Sequence, residues 1–296
     1  MTSPDTFGSG DARILDRGYR SYDGPRTGRS GAIGAVVRHS VQRALGMRRT
    51  IWAKVLPIAT IAFAYIPAIV FVGIVALLPR RQTADLLLPS YGDYYGFVIS
   101  AIMVFVALVA PEVLCTDRRT GMLGVYLSSP LDRDTYLLAK AAAIGAVLSL
   151  VCLGPPLLML IANVLQSTGP DGFGEVLDTT WRVLATGVVV TLLFTGITMG
   201  VTSLTDRKAI AAAAIILLFL VSLVVTGSIE AAGGSGSANV LAPTLLGLEL
   251  AQRVHGEYSP IMFGVSDLLV WGSWALWTFG GFGLALYRIR TLPVTR

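Results

Sequence analysis

Six long apolar stretches divide this chain, at roughly Val55–Leu78, Phe97–Pro111, Ala141–Leu165, Val183–Leu204, Ala209–Ile229 and Leu268–Tyr287. At a rise of about 1.5 Å per residue, most of them cover a hydrocarbon core about 30 Å thick. The second reaches that length only when Tyr94–Tyr95 and Glu112–Leu114 are counted with it. No water inside a bilayer can bond a free peptide group, so a crossing segment must close its own hydrogen bonds as a helix. The pattern predicts an all-α integral membrane protein with six transmembrane helices. Charged residues make up 14% of the 296, against about 25% in a soluble domain.

The basic residues set an orientation. With the N-terminus in the cytoplasm, nineteen of the 23 Lys and Arg fall on the cytoplasmic side, and only Arg80, Arg81, Arg182 and Arg253 fall outside. Such a bias is how topology is ordinarily set. Six spans also return the C-terminus to the cytoplasm, where Arg288 and Arg290 follow the last stretch. The net charge of +5 is accounted for by this asymmetry, and no nucleic-acid partner is expected. The chain reads as a multi-pass protein of a bacterial-type cell membrane, with both termini cytoplasmic.

Around the spans, four regions follow. Residues 1–30 are polar and Gly-rich, read as a flexible cytoplasmic N-terminus and not as a signal peptide. Within them, Tyr19–Arg26 is a basic, turn-rich stretch suited to surface docking. Residues 31–54 place Ile33, Val36, Val37, Val41, Ala44, Leu45, Met47, Ile51 and Trp52 on one arc at 100° per residue, with Arg38, His39, Gln42, Arg43 and Arg49 opposite. Arg48 breaks the pattern. This predicts an N-terminal amphipathic helix in the membrane interface, in contact with lipid. The six-helix membrane domain occupies 55–287, and 288–296 is a cytoplasmic tail.

Several local features carry expectations of their own. Gln166–Trp181 reads as an acidic external loop and Thr205–Lys208 as a tight internal turn. A Gly-rich run from Gly233 to Ser237 precedes Leu241–Val254, whose spacing predicts a short, partly re-entrant helix. Gly196 and Gly200 form a small-xxx-small pair that permits close helix packing. Trp271, Trp274 and Trp277 share one side of the sixth span, as an interfacial anchor or, alternatively, a substrate-facing wall.

Catalytic signatures are missing. The sequence has no phosphate-binding G-x-x-x-x-G-K-[ST] loop, no H-E-x-x-H and no nucleophile elbow. Cys115, Cys152, His39 and His255 lie on no metal spacing. Carboxylates, His and Lys are nearly missing from the apolar stretches, whereas ion-coupled carriers keep such groups in mid-membrane. Glu112, after Pro111, is the one candidate, read as an inner gate. An ion-coupled carrier with Glu112 as its titrating group, or a membrane anchor that recruits a soluble partner, remain alternatives.

The segment Pro111–Lys140 is the most specific part of the chain. A charged Asp117-Arg118-Arg119 is followed by Thr120-Gly121, an apolar run with Met122, Leu123, Val125, Tyr126 and Leu127, then Ser128-Ser129-Pro130-Leu131 and a second short helix ending at Lys140. It resembles the first cytoplasmic loop of ABC-2 type transporter permeases. That resemblance, carried by about thirty residues and echoed at Leu245–Arg253, implies the membrane subunit of an ATP-driven exporter. It implies a non-catalytic chain paired with a separate ATP-binding cassette subunit that holds ATP and Mg, and with a second permease subunit. A cytoplasmic coupling helix between the second and third spans would dock on the ATPase through Asp117, Arg118, Arg119, Thr120, Gly121, Met122, Leu123, Tyr126, Leu127, Ser128, Ser129 and Pro130. The substrate expected for so apolar a pathway is hydrophobic, amphipathic or lipid-like.

Overall fold

The computed structural model of the protein describes residues 24, 28–47, 50–77, 89–170 and 172–292. Most of 1–30, including all of Tyr19–Arg26 except Gly24, with Arg48, Arg49, Arg80, Arg81 and the end of the 288–296 tail, lies outside the described residues. Among the described residues there is no strand. The helices are α1 (Gly28–Ala44), α2 (Ile51–Leu77), α3 (Tyr95–Leu108), α4 (Pro111–Arg119), α5 (Met122–Leu127), α6 (Arg133–Cys152), α7 (Gly154–Leu165), α8 (Gly172–Ser203), α9 (Lys208–Ala231), α10 (Pro243–His255) and α11 (Asp267–Thr291).

Six helical segments among the described residues are long and apolar enough to cross a membrane: Lys54–Leu77, Tyr95–Arg119, Arg133–Leu165, Gly172–Ser203, Lys208–Ala231 and Asp267–Thr291. They coincide with the six apolar stretches. Two of them are broken. Pro111 begins α4 and Pro155–Pro156 follow the start of α7, where a missing N–H is harmless at a helix N-terminus but interrupts a continuing one. Pro156 cannot donate to the carbonyl of Cys152. The Tyr95 hydroxyl donates to it instead, at 2.8 Å, from a fully buried position.

Burial separates centre from flank. The segments containing α3 and α8 are 61% and 72% buried over their most apolar windows, while those of α2, α9 and α11 are 22%, 22% and 17%. The core therefore sits around α3, α6 and α8, filled by Ile102, Phe105, Ile144, Leu148, Leu193 and Phe194. A close helix crossing joins α8 to α11. A Cβ added at Gly196 would meet Thr278 backbone, at 2.5 Å from its carbonyl oxygen, and one at Gly200 would meet the Gly281 Cα at 3.0 Å. The small-xxx-small pair is thus used, with Gly281 as its counterpart.

Four expectations change. The amphipathic segment does not run to residue 54: Gly46, at φ 67°, interrupts it, and Ile51 and Trp52 begin α2. Its buried side is also directed at the protein, since Val36 packs with Leu131 and Ala139, and Ser40 and Ala44 are buried as well. The acidic loop 166–181 is mostly helix. α8 starts at Gly172, and Asp178 pairs with Arg182 one turn on at 2.7 Å. The expected short helix ending at Lys140 is the first part of α6, continuous with the third span. The tryptophans turn inward in part: Trp274 donates its indole N–H to the Val189 carbonyl of α8 at 3.0 Å. The helix expected in Leu241–Val254 is α10, opened by Pro243 and closed by Gly256 at φ 83°. The turn at Thr205–Lys208 joins α8 to α9.

Candidate functional site

The segment between the second and third spans folds into α4, a tight turn, α5 and a second turn. Gly121 makes the first turn in the left-handed region, φ 69°, where a side chain is disfavoured. Ser128 and Ser129 donate back to the carbonyls of Val125 and Tyr126, at 2.7 and 2.5 Å, which ends α5. Asp132 then opens α6, its N–H bonded to Thr135 Oγ1 at 2.9 Å.

A buried charge cluster holds this segment to the bundle. The Asp117 carboxylate forms ion pairs with Arg43 of α1 and Lys140 of α6, and accepts a hydrogen bond from the Tyr136 hydroxyl at 3.2 Å. The Asp117 and Lys140 side chains have no exposed surface. Lys140 Nζ also donates to Ser40 Oγ at 2.8 Å and lies 5.4 and 5.5 Å from the ring centres of Tyr126 and Tyr136. Burial, and then the Asp117 charge, raise the pKa of the Tyr126 hydroxyl above its ordinary value, keeping it neutral. Four helices, α1, α4, α5 and α6, thus share one cluster. Arg118 adds a fifth, donating to the carbonyls of Ser203 and Thr205 at 2.5 and 3.1 Å. Those carbonyls lie at the C-terminal end of α8, where partners run out and a cation is favoured.

The residues expected in a coupling segment therefore divide. Asp117 and Leu123 are buried, and Arg118 is turned to α8, so these three position the segment. Met122, Tyr126 and Leu127 are half-buried. Arg119, Thr120, Gly121, Ser128, Ser129 and Pro130 are exposed, together with Val125 at 61%. These seven are the exposed residues of the set, with Val125 the one large apolar side chain among them.

Glu112 does not stand alone as a gate. Its carboxylate lies 3.7 Å from Lys208 Nζ, tying α4 to the start of α9. Ser40, Arg43 and Tyr136 belong to the cluster but are not distinguished by the sequence. Arg43 falls on the polar arc of α1, and only the need of a lysine inside an apolar helix for a carboxylate points to the pairing.

A family description, the ABC-2 family transporter protein, matches residues 62–239, which contain α3 to α9 and the whole charged segment. The chain belongs to the ABC-2 transporter family. No curated protein matches it. As an ABC-2 protein it is a multi-pass membrane permease of an ABC transporter, in a family whose members are generally the non-catalytic membrane component and pair with an ATP-binding cassette subunit.

Proposed function

We propose that this ABC-2 permease is the membrane half of an ATP-driven exporter, with both termini and the α4–α5 segment in the cytoplasm of a cell membrane. ATP and Mg²⁺ bind a separate cassette subunit, and a second permease subunit completes the pathway. The observation that carries the reading is the pairing of a buried charge cluster with an exposed strip, Arg119–Gly121, Val125 and Ser128–Pro130. Coupling needs an element that both sites share. The cluster fixes the strip to three spans at once, so a push on the strip moves α6 and α8 together.

α1 then lies along the cytoplasmic membrane face, docked on α6. The wide apolar faces of α2 and α9 meet lipid and the second permease subunit. The pathway carries a hydrophobic or amphipathic cargo outward, in keeping with the scarcity of charge along the spans.

The test is co-purification with the cassette subunit and ATP hydrolysis in liposomes. Val125→Asp places a charge at the centre of the strip and touches none of the cluster. It is expected to abolish stimulated hydrolysis and cassette binding while the permease still inserts and purifies. Normal ATP-dependent transport by Val125→Asp would overturn the assignment of the strip.

A further inference from the structure

A groove of about 550 Å³ runs between α6, α8 and α11. Its floor is made of small residues, Ala141, Ala142, Gly145 and Ala146, and its walls include Phe282 and Leu286. Ala142 and Ala146 are exposed and Leu138 is 65% exposed, so the groove opens sideways, toward the space a bilayer fills.

Polar groups interrupt this lining at two depths, the deeper one holding Thr191 beside Thr195. Thr195 is only 2% exposed, and its hydroxyl has no hydrogen-bond partner among the described residues. Further along α8, Thr198 and Thr202 bond back to their own helix, to the carbonyls of Phe194 at 2.7 Å and Thr198 at 2.6 Å, whereas Thr186, Thr191 and Thr195 make no such bond. Thr195 faces the gap over Gly145, where an added Cβ would lie 3.7 Å from its Oγ1. A buried hydroxyl left unbonded is unfavourable. The other lies at the mouth. Asp134 accepts two hydrogen bonds from Arg290, at 3.0 and 2.5 Å, in a half-exposed pair. Arg133 is adjacent, bonded to the carbonyls of Ile289 and Arg290, so two guanidinium groups flank Asp134, the one charged residue of the lining.

Gly145 lies eleven residues along α6 from Asp134, or about 16 Å by helical rise. Mouth and hydroxyl are thus separated by about the thickness of one leaflet, half of a core of about 30 Å. We propose that this groove binds a long-chain amphiphile with an anionic head at Arg133 and Arg290 and an oxygen part-way along its chain that bonds Thr195. The proposal rests on the membrane-permease reading and assigns a cargo class and an entry site to it.

The experiment uses the full chain in nanodiscs of neutral lipid, labelled with stearate bearing a photoactivatable diazirine at the chain end. Stearate and 12-hydroxystearate are the competitors, because the hydroxyl of the latter lies at a comparable distance from its carboxylate. Expected are labelled peptides from α6 and α8, and competition by 12-hydroxystearate about fivefold stronger than by stearate, the value of one added hydrogen bond. Thr195→Val keeps the side-chain shape and removes the hydroxyl. It is expected to equalise the two competitors while stearate competes as before. Gly145→Leu fills the groove and is expected to abolish the labelling. Equal competition in the unaltered protein, undiminished labelling of Gly145→Leu, label concentrated on the exposed faces of α2 and α9, or a crosslink to a second copy would each overturn the groove site. None of these readings needs the cassette subunit. ATP-driven export alongside any of them overturns the groove and leaves the exporter standing, whereas groove labelling in a chain that exports nothing upholds the groove.

Discussion

Lys140 of α6 and Asp117 of α4 meet as an ion pair with no surface of either side chain exposed, and Arg43 approaches the same carboxylate from α1. Two cations thus depend on one anion. Removing one partner of a buried pair costs about 3–5 kcal/mol, because it strands the other charge. Asp117→Asn strands both cations and is expected to lose that full amount. Lys140→Met leaves Asp117 paired with Arg43, and is expected to lose less. Thermal unfolding in detergent reads the order, and a Lys140→Met more damaging than Asp117→Asn would contradict the arrangement.

The α8–α11 crossing has no room for a methyl group at Gly281, where an added Cβ would clash with the Gly196 carbonyl oxygen and lie 3.2 Å from the Ile197 nitrogen. Both neighbours are backbone and cannot rotate away. Gly281→Ala is expected to destabilise by about 1–3 kcal/mol, the range for overpacking. At Gly280 nothing lies within 4 Å of an added Cβ, so Gly280→Ala serves as the neutral control. Equal stability of the two variants would mean that the helices cross elsewhere.

His255, at the end of α10, stacks on Tyr91 with ring centres 6.0 Å apart. Burial, and then the Arg182 charge, lower its pKa to about 4. The unfolded chain takes up the same proton near about 6.5. Stability from this residue is therefore complete above pH about 6.5, and declines as pH falls toward 4. His255→Phe keeps a ring against Tyr91 and removes the titration. Its unfolding midpoint is expected to vary less over that window than that of the unaltered protein.

Orientation is read by cysteine labelling of intact cells with a reagent that does not cross membranes. Cys115 and Cys152 are both buried, which keeps the background low. Ser235→Cys, exposed beside α9, is expected to react, and Ser128→Cys, exposed at the end of α5, is expected to stay unlabelled until the cells are opened. The reverse pattern would invert the topology.

Hydropathy made the six spans legible, because hydrocarbon leaves a spanning backbone few alternatives. It was blind to helix that continues beyond the apolar part. Residues 172–182 of α8 are held by an ion pair one turn apart, and their acidic composition reads as loop. A hydrophobic arc drawn across 31–54 likewise passed over Gly46, whose positive φ separates α1 from α2. The charged segment after Pro111 was legible as a motif, but its division into buried and exposed residues was not. Asp117, Arg118 and Arg119 are consecutive and charged, and only tertiary contacts send the first to Lys140, the second to the end of α8 and the third to the surface.

The docking of α1 has a consequence for the order of events during synthesis. Arg43 leaves the ribosome 74 residues ahead of Asp117, and Ser40 is 100 residues ahead of Lys140. At about 5–20 residues per second, that interval lasts roughly 5–20 s. Through it α1 has no site to dock on, and its arginine has no carboxylate. α1, made before the first span, is therefore fastened only once the third has been made, and its docking reports that the first three spans are in place.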